Sequence, residues 1–214
     1  MRPYLFFVLC IAVLFPLQAQ PNVGLYAGLN NVSLSGDTPN QAKYKGKQGG
    51  TFGANIDFRL TEEVLLSFQP GYKSSNMGLQ YLDDATNTYK DSIDLNIQSA
   101  VLPILVNVIT DNKKWYFTSG VEIAALISST ATIIDSGEEI NLDADTNDFN
   151  LSINFGVTYL IHFGKPFMTI GTRYSQGLLN LTNAESSDSY VPRIKTSGLH
   201  LQIGFQYPLN KKDE

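Results

Sequence analysis

Residues 149–163 alternate almost strictly. Phe149, Leu151, Ile153, Phe155, Val157, Tyr159, Ile161 and Phe163 are apolar or aromatic, and Asn150, Ser152, Asn154, Gly156, Thr158, Leu160 and His162 fill the gaps. A helical period of about 3.6 would scatter both sets around a cylinder, whereas a pleated strand puts one set on each face. The same parity recurs at 52–60, 64–73, 115–127 and 199–209. Weaker alternation at 22–34 and 167–178, and an imperfect run at 93–109, bring the expected strands to eight. In the imperfect run the apolar parity is odd at Ile93, Leu95 and Ile97, then even at Leu102, Ile104, Val106 and Val108. An extra residue would produce that change, and Pro103 cannot donate to a ladder, so a β-bulge is expected between Ser99 and Pro103.

The connections alternate too. Residues 61–63, 110–114 and 164–166 are tight turns, whereas 35–48, 75–92, 128–148 and 179–196 read as long loops. Short turns at one end and long loops at the other are the layout of an outer-membrane barrel with its turns in the periplasm. The expected fold is therefore all-β: an eight-stranded antiparallel up-and-down transmembrane β-barrel with short periplasmic turns and long extracellular loops.

The alternation does not by itself say which face meets oil. The polar face carries Gly, Ser, Thr, Asn and Gln, with a glycine in seven of the eight strands. Glycine weakens a strand, by about 0.5–1 kcal/mol in an element interior, and a solvated face gains nothing in return. A crowded lumen does gain, since eight strands leave an interior just wide enough for side chains. The greasy face has no Lys, Arg, Asp or Glu in these strands, and a mid-bilayer Lys or Arg would cost about 2–4 kcal/mol. The greasy face is thus expected outside and the glycine-rich face inside. Phe58, Trp115, Tyr116, Phe117, Phe163, Phe167 and Tyr207, near the turn-side ends, read as an interfacial aromatic girdle.

The N-terminus supplies the address. Arg2 precedes an unbroken apolar run of 11 residues at 5–15, followed by the small residue Ala19. This is the order of a secretory signal peptide, and the run is too short to span a bilayer as a helix. The expected organisation is a signal peptide at 1–19 and a single barrel domain at 20–214. Cys10, the lone cysteine, falls in the cleaved part, so no disulfide framework is expected. With 15 basic and 20 acidic residues and a net charge of −5, the chain has no electrostatic footprint for nucleic acid.

Three stretches carry a family resemblance. They are Gly24-Leu25-Tyr26-Ala27-Gly28-Leu29-Asn30, Leu102-Pro103-Ile104-Leu105-Val106 and Gly204-Phe205-Gln206-Tyr207-Pro208-Leu209. Over 22–209 the chain resembles the PorT-like group of outer membrane protein beta-barrel domains, among the small OmpA/OmpX-like barrels. The resemblance implies an integral outer-membrane protein, and one branch of the group is associated with protein secretion and gliding motility. Gln202, Gly204, Tyr207 and Leu209 also resemble the last-strand signal read by the barrel-assembly machinery.

Candidate chemistry is sparse. The charged residues of the inward face are Asp57, Arg59, Lys73, Glu122 and Arg173, which nearly cancel. Glu122 and Arg173, at similar heights, are expected to form a structural ion pair that plugs the lumen. His162 and His200 face inward without a local Ser or Asp arrangement, so no catalytic residue is assigned. Asp143-Ala144-Asp145-Thr146-Asn147 opens like a calcium loop, but Asp148 stands where the turn glycine belongs, so a solvated acidic loop is expected. No metal, cofactor or dinucleotide motif is found. The expected protein is a non-enzymatic, monomeric outer-membrane barrel with a structural or surface-interaction role. Its expected partners are outer-membrane lipid and the assembly machinery, with envelope secretion components as further candidates. A lipid-modifying barrel enzyme and a soluble lipocalin-like carrier are the alternatives.

Overall fold

A computed structural model describes residues 21–183 and 193–209. Residues 1–20, where the signal peptide is expected, together with 184–192 and 210–214, lie outside the described residues. The strands are β1 (Asn22–Gly36), β2 (Ala42–Arg59), β3 (Val64–Phe68), β4 (Gly71–Asp83), β5 (Thr88–Ile109), β6 (Trp115–Ile133), β7 (Glu139–Asn141), β8 (Phe149–His162), β9 (Phe167–Gly177) and β10 (Ile194–Pro208). Every pairing is antiparallel, and the ladder from β1 to β10 closes the sheet on itself. β3 and β4 are one barrel stave broken at Gln69–Pro70, and β7 is a short addition to the loop end of β6. Eight staves therefore make the wall, as the alternation predicts. Closure leaves no backbone donor or acceptor facing lipid unpaired along an edge.

The break in the third stave has a partner. The Pro103 carbonyl accepts from the Gln69 backbone amide at 3.0 Å, so the missing Pro103 donor lies on that same side, opposite the Gln69–Pro70 interruption. A proline is tolerated mid-sheet here because the adjacent stave has no regular ladder to lose.

The faces are assigned as the glycine argument requires. Leu25, Phe52, Phe155, Leu199 and Leu201 are exposed on the outside, while Asn30, Asp57, Asn154 and Glu122 are buried inside. Tyr26 shows why glycines crowd the lumen. Its ring lies across the facing pair Gly53 and Gly71, where an added Cβ at Gly71 would come within 2.4 Å of the Tyr26 hydroxyl. The greasy exterior also removes the soluble-carrier alternative, whose surface would be charged.

The anticipated bulge in β5 is absent. Ser99, Val101, Pro103, Leu105, Asn107 and Ile109 all point inward, and so do Leu95 and Ile97. From Ile93 to Ile109 the strand keeps one parity; what changes is its surroundings. Near the turns the apolar residues of β5 face lipid. Near the loops Leu95 and Ile97 face an interior apolar cluster with Val32, Leu34 and Met77. β1 does the same without a bulge, passing from outward Leu25 and Leu29 to inward Val32 and Leu34. The β5–β6 register slip instead places the extra residue in β6, where Gln98 pairs with Ser128 and Ser99 with Leu126.

Two of the expected loops are also sheet. β2 starts at Ala42 and β4 runs to Asp83, with β5 resuming at Thr88. A membrane-crossing strand needs about 9–11 residues, yet β5 has 22 and β6 has 19, against 11 in β9. One side of the barrel, β2–β4–β5–β6, therefore stands out beyond the bilayer as a wall. The charged and polar residues that marked 35–48 and 75–92 as loops are its solvent face.

Candidate functional site: a closed lumen and a projecting wall

The lumen is blocked at three levels. At the turn end Leu65, Ile109, Tyr116, Leu160 and Phe167 pack into an apolar plug. Tyr116 and Phe167 are thus inside the barrel. They leave the expected girdle, which keeps outward Trp115, Phe117, Phe163 and Tyr207. Trp115 packs against Tyr159 in a tilted contact with ring centroids 4.8 Å apart. At the loop end the apolar cluster of Val32, Leu34 and Met77 is covered by Leu181 from the last loop and Ile194 of β10.

The middle level is polar. Lys73 Nζ donates to the Glu122 carboxylate, so the direct partner of Glu122 is Lys73 and not Arg173. Register explains the correction. Glu122 pairs with Ser152, and Ser152 with Gly177, which puts Arg173 four residues further along its strand. Arg173 Nη2 instead donates to Gln69 Oε1 at 2.8 Å and Gln202 Oε1 at 2.9 Å. Both glutamines lie on the polar face legible in the sequence, but nothing in their spacing marks them as guanidinium acceptors. Nearer the turns, the Asp57 carboxylate accepts from Asn55 Nδ2 at 3.0 Å and from Ser67 Oγ. Asn107 Nδ2 donates to that same Ser67 Oγ, and Thr118 Oγ1 to Asn107 Oδ1. Arg59 is at the exposed turn-end rim of β2, outside this network. The enclosed charges are thus Lys73 and Arg173 against Asp57 and Glu122, a formal sum of zero.

Two cavities of about 40 Å³ each flank the polar level. Lys73 and His200 line the one toward the loops, and Asp57, Gln69 and Arg173 the one toward the turns. At about 10–15 Å³ for one probe-sized water, each has room for a few solvent molecules. His200 is buried in the lumen between Asn30 and Arg173 in register, while His162 is exposed at the rim with its ring 5.7 Å from Phe167. Neither histidine has a serine or carboxylate hydrogen-bonded to it among the described residues.

The acidic segment after β6 folds back over the mouth. Asp143 Oδ1 accepts from the Ser129 amide at 2.6 Å, and Thr146 Oγ1 donates to Ser129 Oγ at 3.0 Å. Asn147 Nδ2 reaches the carbonyls of Asn180 and Thr182, tying the third loop to the fourth. Asp143 is therefore occupied as a loop staple. Among the described residues no three His, Cys, Asp or Glu side chains converge as metal ligands.

The wall carries the exposed charge chemistry. Lys45 and Lys47 straddle Asp91, and Lys47 also pairs with Asp94. Hydrogen bonds from Gln80 and Lys45 hold the Asp91 carboxyl below its ordinary range. Lys90 does the same for Asp83.

A sheet closed on itself, lipid-facing outside and blocked within, defines an integral β-barrel of the outer-membrane class. The chain belongs to the outer membrane protein beta-barrel domain family, whose match covers residues 18–183. No curated protein sequence matches it. Among solved structures it is similar to Neisserial surface protein A, with 13% identity, a TM-score of 0.50, and coverage of 85% of this chain and 95% of that one. It is also similar to the outer membrane protein OprG of Pseudomonas aeruginosa, with 11% identity, a TM-score of 0.45, and coverage of 90% and 97%. The attachment invasion locus protein Ail of Yersinia pestis gives 11% identity, a TM-score of 0.47, and coverage of 88% and 99%. At these identities the likeness is one of fold.

Proposed function

We propose that this protein is a non-conducting, non-enzymatic outer-membrane scaffold whose projecting β2–β4–β5–β6 wall makes its contacts at the cell surface. The three-level closure of the lumen carries this reading: a pore needs a continuous aqueous path, and both apolar plugs and the Lys73–Glu122 pair cross it. Within the family, the Gly24–Asn30 and Leu102–Val106 stretches support a PorT-like placement as an accessory to a secretion or motility machine. The wall is the surface such a partner would meet, since the belt below it is committed to lipid. The signal peptide at 1–19 delivers the chain to the envelope for assembly as a monomer.

Planar-bilayer recordings of the refolded protein are expected to show no defined conductance step. A stable open channel would overturn the closed-scaffold reading. Affinity capture from detergent-solubilised envelopes is expected to retain secretion components with wild-type protein and to lose them when residues 84–87 at the tip of the wall are replaced by a two-residue Asn-Gly turn. Retention without the tip would move the contact elsewhere.

A further inference from the structure

The outer face of the wall changes chemistry at one level. Phe52 and Tyr72 pair across β2 and β4 with ring centroids 5.4 Å apart, the uppermost aromatic pair of the lipid-facing belt on these strands. Directly above Tyr72 on the same face come Ser74 and Asn76 of β4, opposite Gln98 and Asn96 of β5. These side chains form a ladder. Gln98 Nε2 donates to Asn96 Oδ1 at 3.2 Å, Asn96 Nδ2 donates to Asn76 Oδ1 and to Ser74 Oγ, and Asn76 Nδ2 is anchored on the Gln48 carbonyl at 2.7 Å. The ladder is half-buried polar sheet on the outer face, organised among β2, β4 and β5 alone.

Its height matters. Ser74 and Asn76 lie two and four residues beyond Tyr72. At about 3.3 Å per residue and a tilt of about 45°, they stand roughly 5 and 9 Å above the aromatic pair. The headgroup zone of one leaflet is about 5–7 Å thick, from the difference between total and hydrocarbon thickness. The ladder therefore spans the headgroup layer and the first ångströms above it, on the side that faces neighbouring lipid. A groove of about 530 Å³ runs beside it, lined by Lys45, Lys47, Asn76, Asp94 and Asn96. Its two lysines are already paired with Asp91 and Asp94, so the groove has no net formal charge.

We infer that this face binds the saccharide headgroup of a glycolipid in the surrounding outer leaflet. It rests on the membrane-boundary assignment above but not on the absence of conductance, which is read separately. A carboxamide offers two donors and an acceptor with two lone pairs. The ladder uses only part of that capacity: Gln98 Oε1 takes no partner among the described residues. Side-by-side donors and acceptors match the hydroxyls of a sugar, and the Phe52–Tyr72 rings below offer a flat apolar surface to its C–H face. A phosphate-led site would instead keep free cations at this level, and these lysines are spent on carboxylates.

The test uses the full-length mature protein refolded into vesicles of phosphatidylcholine alone, with rough lipopolysaccharide, or with phosphatidylglycerol at matched charge. Thermal loss of the folded, heat-modifiable band is followed in each. Lipopolysaccharide is expected to raise the transition and phosphatidylglycerol to leave it near the neutral-lipid value. An equal shift with both lipids would mean that charge alone is sensed, and no shift with either would mean that no sugar is bound; both overturn the inference. Titrated with lipopolysaccharide, Asn76→Ala/Asn96→Ala is expected to bind about tenfold more weakly, through loss of the carboxamide hydrogen bonds to the sugar. Its own transition in phosphatidylcholine is the baseline from which its lipopolysaccharide shift is read. Wild-type affinity in that variant would also overturn the inference. Should it fail to refold, the wild-type comparison of the two lipids still decides.

Discussion

The belt and the wall are the same sheet with opposite polarity. In the belt the apolar residues point out and the polar ones in; in the wall Val32, Leu34, Met77, Leu95 and Ile97 point in, while Asn76, Asn96, Lys45 and Asp91 point out. β1, β4 and β5 cross the boundary with their pleat unbroken, whereas β2 and β6 each take an extra residue there, at 46–50 and 126–128, and so turn over. For the unbroken strands it is the solvent that changes. Where acyl chains surround the barrel, apolar side chains gain nothing by hiding and the polar ones must be enclosed. Where water surrounds it, the ordinary hydrophobic effect returns. The level at which apolar parity inverts along an unbroken strand is thus a direct reading of the membrane boundary.

The comparison can be broken most severely from inside the belt. Glu122→Ala leaves Lys73 enclosed without its carboxylate, and breaking a buried pair in this way costs about 3–5 kcal/mol. Urea unfolding in lipid vesicles is expected to show that loss, and Lys73→Met added to Glu122→Ala should recover much of it. Arg173→Met added instead should not, because Arg173 is held by Gln69 and Gln202. Recovery by the Arg173 variant alone would restore the Glu122–Arg173 pairing that residue height suggests.

Next come the two outer faces. Leu201→Arg places a cation against hydrocarbon and is expected to cost about 2–4 kcal/mol, whereas Gln98→Arg on the wall should stay within about 0.5 kcal/mol of wild type. The ratio of folded to unfolded bands after refolding of each variant measures both. Equal damage would mean that the boundary does not lie between them.

The smallest effect belongs to the wall's charges. Asp91 has its folded-state carboxyl held below the ordinary range by Gln80 and Lys45, so its contribution is present above the unfolded carboxylate range. That contribution is lost as pH falls through the lower folded value. It is a surface ion pair, so the loss should be under about 1 kcal/mol. Asp91→Asn is expected to flatten that part of the acid limb in a pH series of thermal transitions.

The sequence made the belt legible because alternation, glycine on one face and absence of charge on the other all agree there. Class, strand number and the inside-out assignment follow from it. The wall was hidden for a physical reason: its outward face is as polar as a loop, and residues such as Lys45, Asp91 and Asn96 mark turns as readily as a solvated strand. The parity change in β5 was visible, but an inserted residue and a change of solvent leave the same trace in one strand. The matching inversion in β1, from Leu29 to Val32, is the signal that separates them. Lumen partners were beyond reach because they depend on stagger between staves. Lys73, Glu122 and Arg173 are all identifiable as inward, yet which two meet is set by register and not by height.

The most direct test is a cysteine scan of β5 from Ile93 to Val108 in native outer membranes, read with a water-soluble thiol reagent. Positions 94, 96 and 98 should react, positions 102, 104, 106 and 108 should be shielded, and the odd positions 95, 97, 101 and 105 should be shielded throughout. Reaction at 102–108, or a swap of reactive and shielded parity between 98 and 102, would contradict a single pleat crossing from water into lipid.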